Sequence, residues 1–449
     1  MEALMQYVWQ HRLWPPEKMV TDDGRPLRVI DPGRLNTGSG PDFFNAKIRI
    51  GDRLWAGDVE MHVSASDWHR HGHDGDSAYD SVILHVVDRG DCHIKRHNGE
   101  TIPQVEMHCS PDFRNSVARL INRIDGDMPC AGDIAAMSSL NISQWMTTLL
   151  AERLYSKSDR IISLLDRLGG DWATVCYVTL ARALGFGINS EPMERLALSL
   201  PLKILLKHSG NIMQLEALLF GQAGFLAETA DPYAEQLASE HRFLSTKFGL
   251  QPPESLNWKR GRIRPGNLPY RRIAYLAEII RRNNSGMTER LCAIDSETSA
   301  REFFDIGLHD YWERRFRFGN PSESTAPMNL SRPTLDSLII NVVVPVKMAF
   351  AVIHGCDDAI EEAASLLEEL PSEENSPVMT ARRAGLPARS AADSQALLQL
   401  RRAYCETRKC LYCHIGHRMM TRLARRPLSP EIHSASIVWS ERSASMPST

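Results

Sequence analysis

The sequence predicts a mixed α/β amino-terminal unit followed by a mainly helical domain, and three observations carry that expectation. Over residues 55–63 polar and apolar side chains alternate, with Asp58, Glu60 and His62 on one side and Val59, Met61 and Val63 on the other. That is the period of a half-buried strand. From about residue 131 the apolar spacing changes to the helical period. With 449 residues, 43% of them hydrophobic, the chain is long enough for two or three domains.

Taken in order, Leu4, Met5, Val8, Trp9 and Leu13 make an apolar helical stripe, and 28–30 is a short strand before the turn Asp31-Pro32-Gly33. Residues 44–50 and 53–63 read as strands joined by the tight turn Gly51-Asp52. The polar segment 64–80 opens on the capping residues Ser64, Ser66 and Asp67 and has room for a short helix. Residues 81–88 form an apolar strand, and 92–96 with 101–108 flank Asn98-Gly99 as a further hairpin. Helices are expected over 142–168, 172–184, 193–206, 212–225, 233–247, 270–282 and 390–404, with a polar, acidic linker at 371–377. The expected boundaries are 1–130 for the α/β unit and 131–370 for the helical domain. A linker, helix and cysteine cluster follow over 371–428, then a serine-rich, disordered tail over 429–449.

Nine cysteines, six of them scattered singly, do not make a disulfide scaffold, so a reducing cytoplasm is expected. The first residues lack the basic start and apolar core of a secretory signal. The longest apolar run, 337–355, contains Pro345 and Lys347, which favours a buried helix over a membrane span of about 20 uninterrupted apolar residues. A net charge of −3 provides no global attraction to nucleic acid, so such binding requires a local concentration of cations.

The candidate site is Asp42, in the run Gly40-Pro41-Asp42-Phe43, together with Glu60 and His62 on the next strand. Same-face residues two apart on a strand lie about 6.6 Å apart, close enough to share one ion and its water. The order helix, three strands, helix, strand, with these residues on the second and third strands, resembles the PD-(D/E)XK nuclease superfamily, a restriction-endonuclease-like fold with an αβββαβ core. The resemblance covers about the first 90 residues and departs at His62, where the motif has lysine. It implies that Asp42 and Glu60 bind magnesium and that His62 orients the attacking water. Asp58 is an extra carboxylate that the motif does not require, and it joins the catalytic candidates. Histidine loses the lysine's permanent charge and admits manganese or zinc more readily. The alternative is an exposed polar strand face without catalysis. Eight of the sixteen histidines fall between residues 62 and 108; metal chemistry explains this, and so do a solvated segment bearing His69, His71 and His73 and a hydrogen-bonded core His85. Most of the chain also resembles an uncharacterised bacterial family, a domain of unknown function. The carrying residues are Gly38-Ser39-Gly40-Pro41-Asp42-Phe43, Gly57-Asp58-Val59-Glu60-Met61-His62, Ser66-Asp67-Trp68 and Tyr404-Cys405.

Two further motifs bear on function. Cys405, Cys410 and Cys413 place three soft ligands within nine residues, a spacing suited to zinc or an iron–sulfur cluster. The expected fourth ligand is His417, with His414 and Cys130 as alternatives. Between residues 259 and 282 stand Lys259, Arg260, Arg262, Arg264, Arg271 and Arg272, interleaved with Tyr270 and Tyr275 and preceded by Trp258, as in surfaces that pair phosphates and stack bases. The expected function is metal-dependent hydrolysis of DNA or RNA with magnesium or manganese at the acidic site. The competing readings are a non-catalytic nucleic-acid-binding scaffold and a metallohydrolase of small phosphate esters.

Overall fold

The computed structural model describes residues 1–14, 19–109, 113–115, 117–118, 128, 130–227, 231–253, 256–284 and 286–424. The tail expected over 429–449 lies outside them. The chain divides into two units: Met1–Met137 together with the segment from Ala403 onward, and Ser138–Arg402. The helical unit is thus inserted in the sequence of the sheet unit. The cysteine-bearing segment belongs with the sheet, while the linker and the helix after it belong with the helices.

The sheet unit begins with the helix Glu2–Gln10, which buries Leu4, Met5, Val8 and Trp9 along the expected stripe. Strands β1 (Leu27–Asp31), β2 (Arg34–Leu35), β3 (Phe43–Ile50), β4 (Arg53–Ser64), β5 (Val82–Arg89) and β6 (Gln104–Glu106) make one mixed sheet. Their order is β1-β3-β4-β5-β6, with β2 also paired to β3. β3 and β4 are an antiparallel hairpin turning at Gly51, where φ is +57°. β5 runs parallel to β4 after the short helix Asp67–Arg70, and β6 runs parallel to β5. The hairpin expected about Asn98-Gly99 is small, a single bridge between Lys95 and Thr101. Residues after it instead extend the sheet beside the apolar β5.

In the helical unit, starts are set by side chains that accept hydrogen bonds from otherwise unpartnered N–H groups. Asp171 begins Trp172–Leu184, Asn211 begins Ile212–Gln222, Asp231 begins Pro232–Phe248 and Ser390 begins Ala391–Gln399. One long helix expected over 193–206 is two, Ser190–Ser199 and Leu202–Lys207, because Pro201 has no N–H to continue the ladder. The continuous helix Arg332–His354 is long and apolar enough to cross a membrane, and 67% of its apolar window is buried inside the protein. A wider turn at Ile339–Val343 precedes Pro345 and absorbs it. Lys347 within it is neutralised by Glu362 at 2.8 Å.

Where β4 and β5 meet, Gly57 allows a backbone approach that no side chain tolerates. A Cβ there would lie 2.6 Å from the Ser81 carbonyl oxygen and 2.5 Å from Ile83 Cγ2. Gly57→Ala is expected to destabilise the protein by about 1–3 kcal/mol, read as a lower urea midpoint at unchanged slope. A variant as stable as the parent would refute the close approach.

Candidate metal centre

A one-residue bulge decides what Asp42 faces. Phe43 pairs with Val59 but Ala46 pairs with Gly57, so β3 takes three steps where β4 takes two. The extra residue is accommodated at Asn45, whose φ is +58°. In a regular strand Asp42 would share the phase of Ala46, Ile48 and Ile50, which are buried in the core. The bulge places it on the other face, beside Glu60. There the Asp42 N–H donates to Glu60 Oε2 at 3.0 Å, and Asp42 accepts from Met61 N at 3.1 Å and from Gln6 Nε2 at 2.9 Å. Glu2, one turn before Gln6 on the first helix, adds its charge to both carboxyls.

Asp58 is part of this geometry. Its carboxylate accepts from Asn45 N at 2.9 Å and from Ser81 Oγ at 2.6 Å, tying the bulge to the start of β5.

The polar face of β4 is not open, against the half-buried strand that the alternation predicts. Glu60 is 4% exposed and His62 1%, because the segment after β4 folds back over them. Trp68 packs edge-on to His62 and His85, and Tyr79 stacks on His73 with ring centres 3.8 Å apart. The same segment delivers two histidines expected to be merely solvated. His62 Nε2 lies 3.1 Å from His71 Nδ1, and Glu60 Oε1 lies 3.5 Å from His73 Nε2 and 3.6 Å from His62 Nε2. Ligand atoms of His62, His71 and His73 all fall within 4.8 Å of one another. His69 stays at the surface on Asp74, as expected. The alternation His69-x-His71-x-His73 was the available signal; only the fold-back turns it into a site.

A relay across three strands fixes the tautomer of His62. Gln104 Nε2 donates to the Cys92 carbonyl at 3.3 Å, which aims its Oε1 at His85 Nδ1 3.2 Å away. His85 therefore donates through Nδ1 and accepts through Nε2 from His62 Nδ1 at 2.8 Å. His62 Nε2 is left with a lone pair facing His71, as a metal-ligating imidazole needs.

The electrostatics of the group are those of a cation site. Burial first, then the charge of Glu2, raises the Asp42 carboxyl to about 7. Burial and then Asp42 raise Glu60 to about 9. Burial, with His85, His73 and His71 nearby, lowers His62 to about 3, and burial lowers His85 to about 4 and His73 as well. Crowded carboxylates and neutral imidazoles are what a divalent ion relieves and binds.

The other expected residues divide. Lys259, Arg260, Arg262 and Arg264 are exposed. Arg271 is 1% exposed and donates to the carbonyls of Trp312, Arg315 and Pro327, while Arg272 is buried over Phe186 and bonded to Asn267. These two hold the core together and offer no phosphate contact. A stronger basic surface went unnoticed, a cavity of about 560 Å³ in the helical unit lined by Arg153, Lys157, Arg160, Arg167, Arg182 and Arg402, with Glu194 as its acid. Four of these cations share one face of the helix Ser139–Arg167, a spacing visible in the sequence. Lys157 donates to the Ile340 carbonyl at 3.1 Å, and burial and Arg153 lower its amine to about 7. In the cysteine-bearing segment, His417 is held at the first helix. Its Nδ1 lies 2.8 Å from Tyr7 Oη and its ring packs on His11.

Sheet, bulge and carboxylate–histidine group define a two-unit protein with a candidate metal centre. The chain belongs to the family described as protein of unknown function (DUF2851), whose model matches residues 2–376 and so includes the whole group. No curated protein and no solved structure matches the chain.

Two outcomes follow for the centre. Asp58→Ala, by releasing the bulge, is expected to weaken Mn²⁺ binding about 10–100-fold, the usual effect of losing a supporting residue. Asp58→Asn, which keeps the acceptor for Asn45 N, stays near the parent. Equal loss in both, measured by calorimetry, would refute the positioning role. The second outcome concerns pH. Folded Glu60 and Asp42 hold protons more tightly than the unfolded chain, so between about pH 4.5 and 9 they make metal-free stability fall as pH rises. The lowered histidines act oppositely, but only below their ordinary value near 6.5. Added Mn²⁺ must displace the carboxyl protons, so its thermal stabilisation is expected to grow from pH 6.5 to 8.5. A flat or shrinking shift would contradict this.

Proposed function

We propose that the sheet unit is a metal-dependent phosphodiesterase acting on nucleic acid, nuclease-like in its chemistry. The observation that carries this reading is the meeting of His62, His71 and His73 beside Glu60 Oε1, with Asp42 at its edge. The element order, with Asp42 directly before β3 and Glu60 on β4, supports a restriction-endonuclease-like core.

The donor set of imidazole nitrogens and carboxylate oxygens fits Mn²⁺ or Zn²⁺ better than Mg²⁺, which prefers oxygen ligands. His62, His73 and Glu60 would hold the ion, with His71 and Asp42 closing the set. Such an ion supplies charge neutralisation for the phosphate and lowers the pKa of its water. The chain's own residues orient the set: Gln6 and the Met61 N–H fix Asp42, His85 fixes His62, and Tyr79 fixes His73 by stacking. His62 serves here as a ligand, since its Nδ1–H is committed to His85. The exposed Lys259, Arg260, Arg262 and Arg264, together with the arginine-lined cavity, supply cations for a phosphate backbone.

The burial of Glu60 and His62 favours a second reading, hydrolysis of a small phosphate ester that enters a closed pocket. One assay series separates the two. Purified protein with Mn²⁺ is expected to cleave single- or double-stranded oligonucleotides, with cleavage lost in Glu60→Ala and reduced at least about 10²-fold in His73→Ala, the scale set by losing an activated water. Turnover of a small ester alone, indifferent to Arg262→Ala and Arg264→Ala, would favour the second reading. Salt-sensitive nucleic-acid binding without any cleavage would refute the enzyme.

A further inference from the structure

The walls of the basic cavity of about 560 Å³ all lie within the helical unit, Ser138–Arg402. The helix Ser139–Arg167 supplies Arg153, Lys157, Arg160 and Arg167, whose spacing puts them on one face. The helix Trp172–Leu184 supplies Arg182, and Arg402 comes from the turn Leu400–Cys405. The single carboxylate of the wall is Glu194, on the helix Ser190–Ser199. Like charges three and four residues apart oppose one another, so this face weakens the long helix rather than supporting it. Burial and then Arg402 lower the Arg153 guanidinium, and burial and then Arg182 lower that of Arg160.

The unit leaves these cations short of countercharge. Glu194 serves two of them, for Arg160 Nη2 donates to its oxygens at 3.0 and 3.2 Å and Arg182 donates to Oε2. Arg153 Nε donates only to a neutral acceptor, Gln395 Oε1, at 3.2 Å. Lys157 donates to the Ile340 carbonyl and to Asn341 Oδ1, both at 3.1 Å. Asn341 is oriented for this because its Nδ2 donates to the Ser337 carbonyl at 2.8 Å. Both acceptors lie on the wider helical turn Ile339–Val343, a form frequent at functional sites. Arg167 and Arg402 are exposed and make no ion pair among the described residues. Six cations thus face one carboxylate, beside an apolar wall of Ile161, Leu164 and Phe186.

Such a cavity matches a compact polyanion better than an extended one. Its volume falls among small-ligand sites, which span about 300–1,000 Å³. A strand of nucleic acid crossing it presents phosphates singly, whereas three linked phosphoryl groups bring roughly four negative charges inside together. We propose that this cavity is a binding site for a triphosphate group, carried either by a free nucleoside triphosphate or by the 5′ end of a nucleic acid. Arg160 and Arg182, held side by side by Glu194, offer phosphoryl oxygens the forked donors of guanidinium. Arg167 and Arg402 add charge at the open side, and the apolar wall accommodates the nucleoside. The site is independent of the hydrolytic reading, since none of its residues belongs to the carboxylate–histidine group.

The test is calorimetry on the full chain in EDTA, which keeps divalent ions off the candidate metal centre. The ligands are ATP, inorganic triphosphate, AMP, and one oligonucleotide with either a 5′-triphosphate or a 5′-hydroxyl. A triphosphate-bearing ligand is expected to bind once per chain, at least about tenfold tighter than AMP. Arg167→Glu and Arg402→Glu should each weaken it by about tenfold or more. Neither should lower the thermal midpoint, because neither side chain is paired in the fold. Arg242→Glu makes the same charge change on the exposed side of the helix Pro232–Phe248 and should leave affinity within about twofold. ATP binding tighter than the triphosphorylated oligonucleotide assigns the free nucleotide, and the reverse order assigns the nucleic-acid end. No binding at about millimolar ligand, AMP binding as tightly as ATP, or equal weakening by Arg242→Glu and Arg167→Glu would each overturn the proposal.

Discussion

The extra residue at Asn45 is the constraint on which the rest of the centre depends. Strand side chains alternate with a period of two, so a single insertion exchanges the two faces of everything before it. Phe43 keeps its place opposite Val59 in the core because of it, and Asp42 arrives opposite Glu60. Asp58 accepts the Asn45 N–H and the Ser81 hydroxyl, so one carboxylate pins the hairpin and the crossover to the same point. Gly57 beside it lets the Ser81 carbonyl approach without a side chain in the way.

Once Asp42 and Glu60 are side by side under Trp68, Tyr79, His71 and His73, the sheet carries a charge problem. Burying carboxylates without compensation is expensive, and the protein without a cation meets it by holding the protons on. Burial does the converse to His62, His73 and His85, disfavouring their charged forms. Both responses leave lone pairs and exchangeable protons where a divalent ion would sit, which is a functional pattern more than a stabilising one. The His62–His85–Gln104 chain fixes the directions of these groups from outside, through three adjacent strands of one sheet.

The helical unit uses arginine in two ways that look alike in a list of residues. Arg271 lies on the helix Pro269–Arg282 and is consumed by three backbone carbonyls, which brings the loops around Trp312 and Pro327 together. Arg160 and Arg182 converge on Glu194 at the cavity and remain partly open to solvent. A guanidinium buried against backbone carbonyls is out of reach of phosphate, whereas one at a cavity wall is not.

Local periodicity determined much of this protein. The stripe on the first helix, the β3–β4 hairpin at Gly51, the apolar β5 and the helix starts at Asp171 and Asn211 are legible because each depends on residues within a few positions of one another. The pairing of Asp42 with Glu60 was legible too, since both flank one hairpin. What the tertiary structure alone decided depends on contacts between segments distant in sequence. The fold-back of residues 65–80 brought His73 and the exposed His71 to His62 and Glu60, and it closed the face expected to be open. Asp58 is tied to the bulge, Arg271 and Arg272 to the core, and His417 to Tyr7, because each found a partner that sequence spacing does not reveal.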